Sequence, residues 1–358
     1  MTQPITGETV GKTETARTAV AEAAAAMPNP SRLFQALNAF QQTAAMRAAI
    51  ELDVFTTIAD RQTTAWQIAQ RAGASERGIR ILCDYLTVLG FLTKSDSHYG
   101  LAPDAALFLD RRSPAYMGTA ARFLDAPEML KAFDDLTKSV RKGGTVMGEE
   151  GTLSAENPIW VEFARSMAPM MMMPAELISR LIEADKGGAC RVLDIAAGHG
   201  LFGINIARHN PQAQIVALDW PSVLEVAWEN ARKAGIEPRY ATIPGSAFQV
   251  DFAGEYDLVL LTNFLHHFPP VECEQILRKV RQALRPGGRA VTLEFVPNDD
   301  RVSPPEAATF SMIMLGSTPL GDAYTFAELE GMFANAGFSR SEHHRQSPLP
   351  ESVIISYP

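Results

Sequence analysis

Two adjacent histidines and a turn rich in small residues have the types and the spacing that chemistry requires. His266 and His267 follow an apolar run, and an imidazole with a pKa near ~6.5 is a suitable general base at neutral pH. The turn at 194–200 follows another apolar run, and its glycines let the backbone approach a ligand closely. Asp219 ends the next apolar run, where a nucleotide-binding βαβ unit places its ribose-binding acid. The spacing predicts a nucleotide-like ligand with a proton acceptor opening onto its site.

The turn at 194–200 differs from two common nucleotide motifs. It is not the dinucleotide fingerprint Gly-x-Gly-x-x-Gly, because its glycines are Gly198 and Gly200, and Gly203 lies further into the next helical pattern. It also lacks the Gly-Lys-Ser/Thr of a phosphate loop. A simpler interpretation of Asp219, as a carboxylate that caps the following helix, stays open.

Composition excludes several classes of protein. The chain has 358 residues, 46% of them hydrophobic and 20% charged, which allows two domains and a large core. A net charge of −9 disfavours nucleic acid as a partner, and no apolar run is long enough for a membrane helix. Cys83, Cys190 and Cys273 have no metal-ligand spacing, so we expect reduced thiols, no metal site and a cytoplasmic location. Residues 1–29 lack the features of a signal peptide and predict a disordered tail.

The N-terminal third predicts a winged helix. Its elements are a helix at 31–56, a short helix around Trp66–Ala69, a helix at Ser75–Leu89, and strands at Phe91–Thr93 and His98–Leu101. The second of the paired helices mixes acidic and basic residues, which makes a poor surface for reading DNA. We therefore predict a module that forms a homodimer through the N-terminal helices. A regulator that senses a ligand through the rest of the chain stays an alternative.

From residue 176 onward, strand patterns alternate with helix patterns. The predicted strands are 191–195, 214–219, 239–243, 256–262, 289–295, 340–346 and 352–357. Helical patterns separate the first five strands, which should therefore be parallel, whereas the short connection 347–350 makes the last two a hairpin. Residues 116–175 predict linker helices. The fold class is α/β, with ligands bound beyond the carboxyl ends of the strands.

Taken together, these motifs resemble the class I S-adenosylmethionine-dependent O-methyltransferases of small molecules. The resemblance rests on the turn at 194–200, Asp219, His266–His267 and a predicted Leu-Arg-Pro-Gly-Gly-Arg turn at 284–289. The family includes plant phenolic, acetylserotonin and bacterial antibiotic-tailoring enzymes, and the likeness covers about residues 30–358. It implies a winged-helix dimerisation domain at 30–115, linker helices at 116–175 that contribute to the acceptor pocket, and a Rossmann-like methyltransferase core at 176–358.

The resemblance also implies a cofactor and its binding residues. The cofactor is S-adenosylmethionine, and the product is S-adenosylhomocysteine. Ser246 stands where the family has an acid that contacts adenine, and Phe248 is expected to be an adenine platform or else a plain core residue. The residues implied to bind the cofactor are Asp194, Ala196, Gly198, Gly200, Asp219, Trp220, Ser246, Ala247, Phe248 and Asn263.

Catalytic residues follow from the same resemblance. His266 aligns with the family's general base, and Glu294 aligns with its helper carboxylate. A second carboxylate of the family aligns with Ala323, so the general base has fewer acidic partners here than in the plant enzymes. Whether His266 or His267 is the base, or whether the histidine is only structural, stays open.

The acceptor pocket is predicted from a helix rich in aromatic and methionine residues. Its candidate residues are Phe163, Met167 and Met170, with His267 and Met312 as further members. A buried linker helix is the simpler interpretation of the same pattern. The predicted reaction is O-methylation of a small aromatic or polyketide-type hydroxyl in secondary metabolism. C-methylation, or a reaction that retains the cofactor such as decarboxylation, hydroxylation or pericyclic chemistry, is the alternative.

Overall fold

The structure is a computed structural model that describes residues 28–347 and 349–358. It forms two compact units, one that ends at Ala102 and one that spans Pro103–Pro358. Apart from its last two residues, the tail predicted at 1–29 lies outside the described residues. No helix within the described ranges is long and apolar enough to cross a membrane.

The first unit is helical and ends in a small hairpin. Its elements are α1 (Ser31–Leu37), α2 (Ala39–Glu51), α3 (Val54–Ala59), α4 (Ala65–Ala72), α5 (Glu76–Val88), β1 (Leu92–Ser95) and β2 (His98–Leu101). Helix α4 begins with a capping box between Thr64 and Gln67. Strands β1 and β2 are antiparallel, with Leu92 opposite Leu101. These elements confirm the winged-helix arrangement.

The helix predicted at 31–56 is wrong as a single element. Asn38 separates α1 from α2, and the chain turns again before α3, where Asp53 takes a left-handed φ of 54°. Asn and Asp tolerate that conformation better than other non-glycine residues. Neither Asn38 nor Asp53 is a glycine or a proline, and the apolar residues keep their helical spacing across both positions. The sequence pattern therefore gave no sign of the two breaks.

The second unit begins with short helices and continues as an α/β core. Its helices before the core are α6 (Pro103–Phe108), α7 (Ala121–Leu124), α8 (Pro127–Lys131), α9 (Leu136–Lys142), α10 (Ile159–Ser166) and α11 (Ala168–Leu181). Helix α11 passes the expected start of the core at residue 176 and contains Pro174. It packs on the first helix of the core through buried residues that include Ile178.

One seven-stranded sheet forms the centre of the second unit. Its strands are β3 (Cys190–Ile195), β4 (Ala213–Asp219), β5 (Tyr240–Pro244), β6 (Tyr256–Thr262), β7 (Leu284–Glu294), β8 (Arg340–Arg345) and β9 (Ser352–Tyr357). Their order in the sheet is β5-β4-β3-β6-β7-β9-β8. Strands β3 to β7 are parallel, and β9 runs antiparallel between β7 and β8. The predicted α/β class and the terminal hairpin are therefore confirmed.

Strand β7 begins earlier than the expected residue 289. Leu284 already pairs with Tyr256, and the register shifts before Leu258 pairs with Arg289. Gly287 lies in the shifted segment with a φ of 82°. The glycine-rich stretch is therefore an irregular part of the strand rather than a separate turn.

Helices cover both faces of this sheet. They are α12 (Leu201–His209), α13 (Pro221–Lys233), α14 (Pro270–Ala283), α15 (Pro305–Ala308), α16 (Phe310–Ser317) and α17 (Phe326–Asn335). The strands are buried because apolar clusters lie on both sides of them. Buried polar side chains, among them Asp194, Thr262 and Glu294, stand near the carboxyl ends of β3, β6 and β7. This edge of the sheet positions the candidate site.

Candidate active site

A cavity of about 450 Å³ opens at the carboxyl ends of β3, β4 and β6, within the second unit. That volume is in the range of sites that hold small molecules. The predicted site residues that line it are Phe163, Met167, Met170, Ala196, Gly198, Asp219, Trp220, Ser246, Ala247, Phe248, Asn263, His266 and His267. One cavity thus brings together the residues assigned to cofactor, acceptor and base.

The turn after β3 takes its shape from three left-handed residues. Ala196, Gly198 and Gly200 have φ values of 53°, 56° and 74°. A Cβ on Gly200 would stand 2.5 Å from the Tyr240 hydroxyl, so only glycine fits there. The turn leads directly into α12, and the amides of Leu201 and Gly203 in its first turn donate to His199 and Asp194.

Asp219 ties this turn to the next strand. Its carboxylate accepts hydrogen bonds from the amides of Gly198 at 2.8 Å and Trp220 at 2.7 Å. Burial raises the pKa of the Asp219 carboxyl to about 6, although these two donors act in the opposite direction. Asp219 also lines the cavity, so the carboxylate that holds the turn lies in the cavity wall.

Two residues predicted to bind the cofactor lie behind the turn instead. Asp194 and Gly200 do not line the cavity. Asp194 is fully buried, accepts a hydrogen bond from the Gly203 amide at 3.1 Å, and has its pKa raised to about 7 by burial. Both residues therefore support the turn that carries the lining residues.

The segment after β5 forms another wall. Ser246, Ala247 and Phe248 line the cavity, and the Ser246 hydroxyl accepts the Phe248 amide proton at 3.3 Å. Lys279 of α14 fixes this segment from behind. Its ammonium donates to the carbonyls of Ala247, Phe248 and Val250 at 2.6, 3.0 and 3.0 Å. Sequence reasoning missed Lys279, because nothing local marks a helix lysine as an anchor for a distant loop.

Asn263 directly follows β6 and takes a left-handed conformation. Its φ is 54°, and its side-chain amide donates to the Met171 sulfur at 3.4 Å. Within the described part of the chain, the Asn263 Oδ1 atom has no hydrogen-bond partner. The residue lines the cavity, and a ligand donor that reached this buried oxygen would satisfy it.

His266 and Glu294 form a buried hydrogen-bonded pair. The Glu294 Oε1 atom accepts the amide protons of Phe264 at 3.1 Å and Leu265 at 2.8 Å, and its Oε2 atom bonds His266 Nδ1. A carboxylate that already accepts two amide protons requires a donor from the histidine, so the proton of a neutral ring lies on Nδ1. Nε2 is then the ring nitrogen that keeps a lone pair.

His267 lies beside His266 in a different environment. Both belong to a short 3₁₀ turn at Leu265–His267 rather than to the strand, and their ring centroids are 4.2 Å apart. Within the described residues the His267 Nδ1 atom has no hydrogen-bond partner. Burial, with a further contribution from His266, holds the pKa of His267 well below its ordinary value. No carboxylate orients this second ring among the described hydrogen bonds, which distinguishes it from His266.

Aromatic side chains form the opposite wall. Phe163 stacks on His199 with centroids 6.3 Å apart and meets the edge of Phe123 at 5.1 Å. Met167 and Met170 line the cavity beside it. Met312 does not, because it is 48% exposed and its helix neighbours Ile313 and Met314 face the cavity instead. Met312, which the sequence predicts as a pocket residue, therefore lies outside the cavity lining.

Several lining residues were not predicted. They are chiefly Trp160, His199, Phe310, Glu306 and Glu351. His199 lies between the two glycines of the turn, a position that could have been noticed. Its Nδ1 atom accepts the Leu201 amide proton at 3.1 Å, and burial lowers its pKa to about 4.

The segment that carries Ala323 lies against the turn of His266. The Asp322 amide donates to the His266 carbonyl at 2.9 Å, and Ala323 itself is fully buried. The position therefore offers a methyl group where the resemblance places a carboxylate. Among the described residues no cluster of metal-ligating side chains is present either.

Comparisons with known proteins agree with this arrangement. The O-methyltransferase domain model matches residues 151–339, and the O-methyltransferase dimerisation domain model matches 34–111. A 3-hydroxy-5-methyl-1-naphthoate 3-O-methyltransferase of Streptomyces sahachiroi is 30% identical over 335 residues, which cover 91% of this chain and 94% of that protein.

Solved structures show the same architecture. A protein of Nostoc punctiforme PCC 73102, described as a candidate O-methyltransferase, is 52% identical, with a TM-score of 0.89 and coverage of 93% of this chain and 100% of that one. Human N-acetylserotonin methyltransferase in complex with S-adenosylmethionine is 20% identical and shares the fold, with a TM-score of 0.80 over 93% of this chain and 98% of that one. This chain belongs to the O-methyltransferase family, and it is an S-adenosylmethionine-dependent O-methyltransferase.

Proposed function

We propose that the enzyme methylates a hydroxyl group of a small aromatic or polyketide-type acceptor of secondary metabolism, with His266 as general base. The observation that carries the proposal is the pair of His266 and Glu294, since His266 lines a cavity that also includes the turn after β3. A phenol with a pKa of ~10 is mostly protonated at neutral pH, so its attack gains from a proton acceptor. Nε2 of His266 takes the proton, and Glu294 stabilises the charged ring that results.

The walls of the cavity fit S-adenosylmethionine. A carboxylate at Asp219, an unsatisfied amide oxygen at Asn263 and an aromatic ring at Phe248 match hydroxyl, amino and flat ring groups of such a molecule. The cofactor supplies an electrophilic methyl group on a sulfonium. We propose that the residues that hold it are Ala196, Gly198, Asp219, Trp220, Ser246, Ala247, Phe248 and Asn263. Asp194 and Gly200 keep the turn in place.

The other wall favours a flat acceptor. Phe163 and Trp160 approach each other edge to face at 6.0 Å, and Trp160 meets His267 at 5.2 Å. Thioethers adapt to aromatic faces, so Met167 and Met170 complete an apolar slot beside these rings. His267 then serves as a wall of the slot rather than as the base.

One experiment tests both halves of this proposal. The purified enzyme is incubated with S-adenosylmethionine that carries an isotopic methyl group, and with a panel of phenols and hydroxyquinones. We expect a product that gains one labelled methyl group on oxygen, together with S-adenosylhomocysteine. A His266→Ala variant that binds S-adenosylhomocysteine normally yet keeps the full rate at neutral pH would remove the base from the proposal.

A second candidate keeps the cofactor and changes the product. The buried methyl group of Ala323 leaves His266 with one carboxylate partner, Glu294, among the described hydrogen bonds. This thinner set of acidic partners leaves C-methylation, or a reaction that retains the cofactor, as the alternative. Carbon-linked label in the product, or turnover without formation of S-adenosylhomocysteine, would favour this candidate.

The N-terminal unit is proposed to form the homodimer. Large apolar side chains of α1 and α2 are more than half exposed, which is a large exposed apolar surface for helices this short: Leu33, Phe34, Leu37 and Phe40. Light scattering is expected to show a dimer for the full chain and a monomer for a Phe34→Ser, Phe40→Ser double variant.

The cytoplasmic location stays a prediction, supported by three cysteines that form no disulfide.

A DNA-binding regulator is less well supported. Two cations of the winged helix, Arg80 and Lys94, both pair with Asp84, which leaves them less charge for phosphates. We expect no shift of duplex DNA by the protein at low salt. Retarded DNA at protein concentrations that also leave methyl transfer intact would restore the regulator as a second role.

A further inference from the structure

The charge of the cavity wall restricts what the acceptor can carry. Three carboxylate residues line the cavity: Asp219, Glu306 and Glu351. Among the described residues of the same lining there is no lysine and no arginine. An anion that enters this cavity meets side chains that repel it and finds no side-chain cation to pair with.

Glu351 is the carboxylate that matters most for an acceptor. Asp219 already accepts two amide protons from the backbone, and Glu306 is exposed on the short helix α15, where water screens it. Glu351 is only 3% exposed, and no lysine or arginine pairs with it among the described ion pairs. A buried carboxylate without a cation is costly and is seldom kept without a role.

The position of Glu351 places it beside the proposed base. It directly precedes Ser352, whose backbone pairs with Glu294 across β7 and β9. The charged groups that act on Glu351 are Glu294 and His266, and Glu306 and His267 face the same cavity. Burial raises the pKa of the Glu351 carboxyl to about 7 against a backbone hydrogen bond that lowers it, and Glu294 and His266 make smaller contributions, upward and downward respectively. With that pKa the side chain changes charge close to neutral pH, in the wall of the same cavity that His266 lines.

We propose that Glu351 is a specificity-determining residue that faces the acceptor and excludes acceptors with an anionic group beside the reacting hydroxyl. The enzyme then takes neutral phenols and rejects their carboxylate-bearing analogues. This inference rests on the proposed aromatic acceptor and adds the charge class to it.

The test compares two flat probes that differ by one carboxylate. Binding of 2-naphthol and of 3-hydroxy-2-naphthoate to the full-length enzyme, loaded with S-adenosylhomocysteine, is measured by calorimetry at pH 8 and pH 6. We expect 2-naphthol to bind at least about tenfold more tightly at pH 8, a difference of roughly 1.4 kcal/mol. The ratio should shrink at pH 6, because protonation of Glu351 removes its charge.

Two variants separate Glu351 from the rest of the wall. Glu351→Gln keeps the size of the side chain, and we expect it to bring the two affinities within about threefold and to remove their dependence on pH. Glu330→Gln, on the exposed face of α17 and outside the cavity lining, should behave like the unmodified enzyme.

The outcomes distinguish this inference from the proposed function. Equal binding of the two probes, or a ratio that Glu351→Gln leaves unchanged, would overturn the role of Glu351 while the aromatic acceptor stands. Failure of both probes to bind an enzyme that does bind S-adenosylhomocysteine would overturn the aromatic acceptor, and the charge rule with it.

Discussion

Glu294 determines which nitrogen of His266 holds the proton. One carboxylate oxygen accepts the amide protons of Phe264 and Leu265, and the other bonds His266 Nδ1, so the pair is fixed to the backbone of the turn that carries the base. Both side chains are buried. The ring orientation and the position of its lone pair therefore follow from Glu294 rather than from the solvent.

Replacement of Glu294 by glutamine should reverse that assignment. The amide oxygen can still accept from the backbone, but its NH₂ group donates to Nδ1 and moves the histidine proton to Nε2. We expect kcat to fall by about 10²–10⁴-fold, the usual contribution of a general base, with little change in Tm or in the affinity for S-adenosylhomocysteine. Steady-state kinetics with a phenol acceptor and calorimetry check this.

Glu294→Ala is the matched control for the same position. It also removes the acceptor of the Phe264 and Leu265 amides. Each buried group left without a partner lowers the free energy of unfolding by about 1–3 kcal/mol. We expect a clear loss of stability in urea in addition to the lost rate. If Glu294→Gln keeps normal kcat, Glu294 is only a cap of the turn and not the partner of a base.

Lys279 should control cofactor affinity without touching the cavity. Its ammonium holds three carbonyls of the segment that contains Ala247 and Phe248, and it lies 4.5 Å from the centre of the Phe252 ring. Loss of these charge-assisted bonds frees the segment. We expect Lys279→Met to weaken S-adenosylhomocysteine binding by about tenfold, on the order of one lost hydrogen bond.

The neighbouring Arg278 provides the control for that substitution. Arg278 is exposed and pairs with Glu274 on the same helix, so Arg278→Met removes a cation from α14 without releasing the segment. Calorimetric titration should show an affinity close to that of the unmodified enzyme. Equal weakening by both variants would mean that the general charge of α14, rather than the anchor, affects the cofactor.

The two glycines of the turn after β3 should respond differently to alanine. In Gly200→Ala the new Cβ meets the Tyr240 hydroxyl at 2.5 Å and the Ala227 Cβ at 3.1 Å, in a left-handed backbone. Strain and crowding together predict a loss of about 2–4 kcal/mol in the free energy of unfolding. Urea denaturation measures it.

In Gly198→Ala the nearest atom to the new Cβ belongs to the Phe163 ring, at 3.7 Å, which is ordinary contact. Only the left-handed backbone then lowers the free energy of unfolding, by about 1–2 kcal/mol. Because Gly198 lines the cavity and Gly200 does not, we expect the larger loss of cofactor affinity in Gly198→Ala. If Gly200→Ala has the higher free energy of unfolding of the two variants, the packing described for the turn is wrong.

The sequence predicted those parts of the fold that are set by continuous apolar runs. Strands β3, β4 and β6 were placed to within one residue because each is buried on both faces. The turn after β3 and Asp219 followed from the same runs. The breaks at Asn38 and Asp53 were missed, because neither residue interrupts the helical spacing of its neighbours.

The candidate site was predictable only where its residues lie next to strand ends. The sequence predicts Met312 as a pocket residue, whereas Ile313 and Met314 line the cavity, and a shift of one or two positions on a helix turns a side chain by roughly 100–200°. Glu351 reaches the site because β9 inserts between β7 and β8, a pairing that no local pattern specifies. The site residues that the sequence did not predict therefore depend on the order of strands in the sheet and on which face of a helix each side chain occupies.

The raised pKa of Glu351 also predicts how stability depends on pH. In the folded enzyme the pKa is about 7, against about 4.5 for an unburied glutamate, so the folded state binds the proton more tightly. The stability that this group contributes is then fully present below pH ~4.5 and is lost as the pH rises through ~7. The loss should reach about 3 kcal/mol above pH 8. Glu351→Gln, which cannot ionise, should therefore match the unmodified enzyme near pH 4 and unfold at higher urea concentrations at pH 8. Parallel pH profiles for the two proteins would show that Glu351 ionises as freely in the fold as in water, and that its carboxylate is solvated rather than buried against the acceptor site.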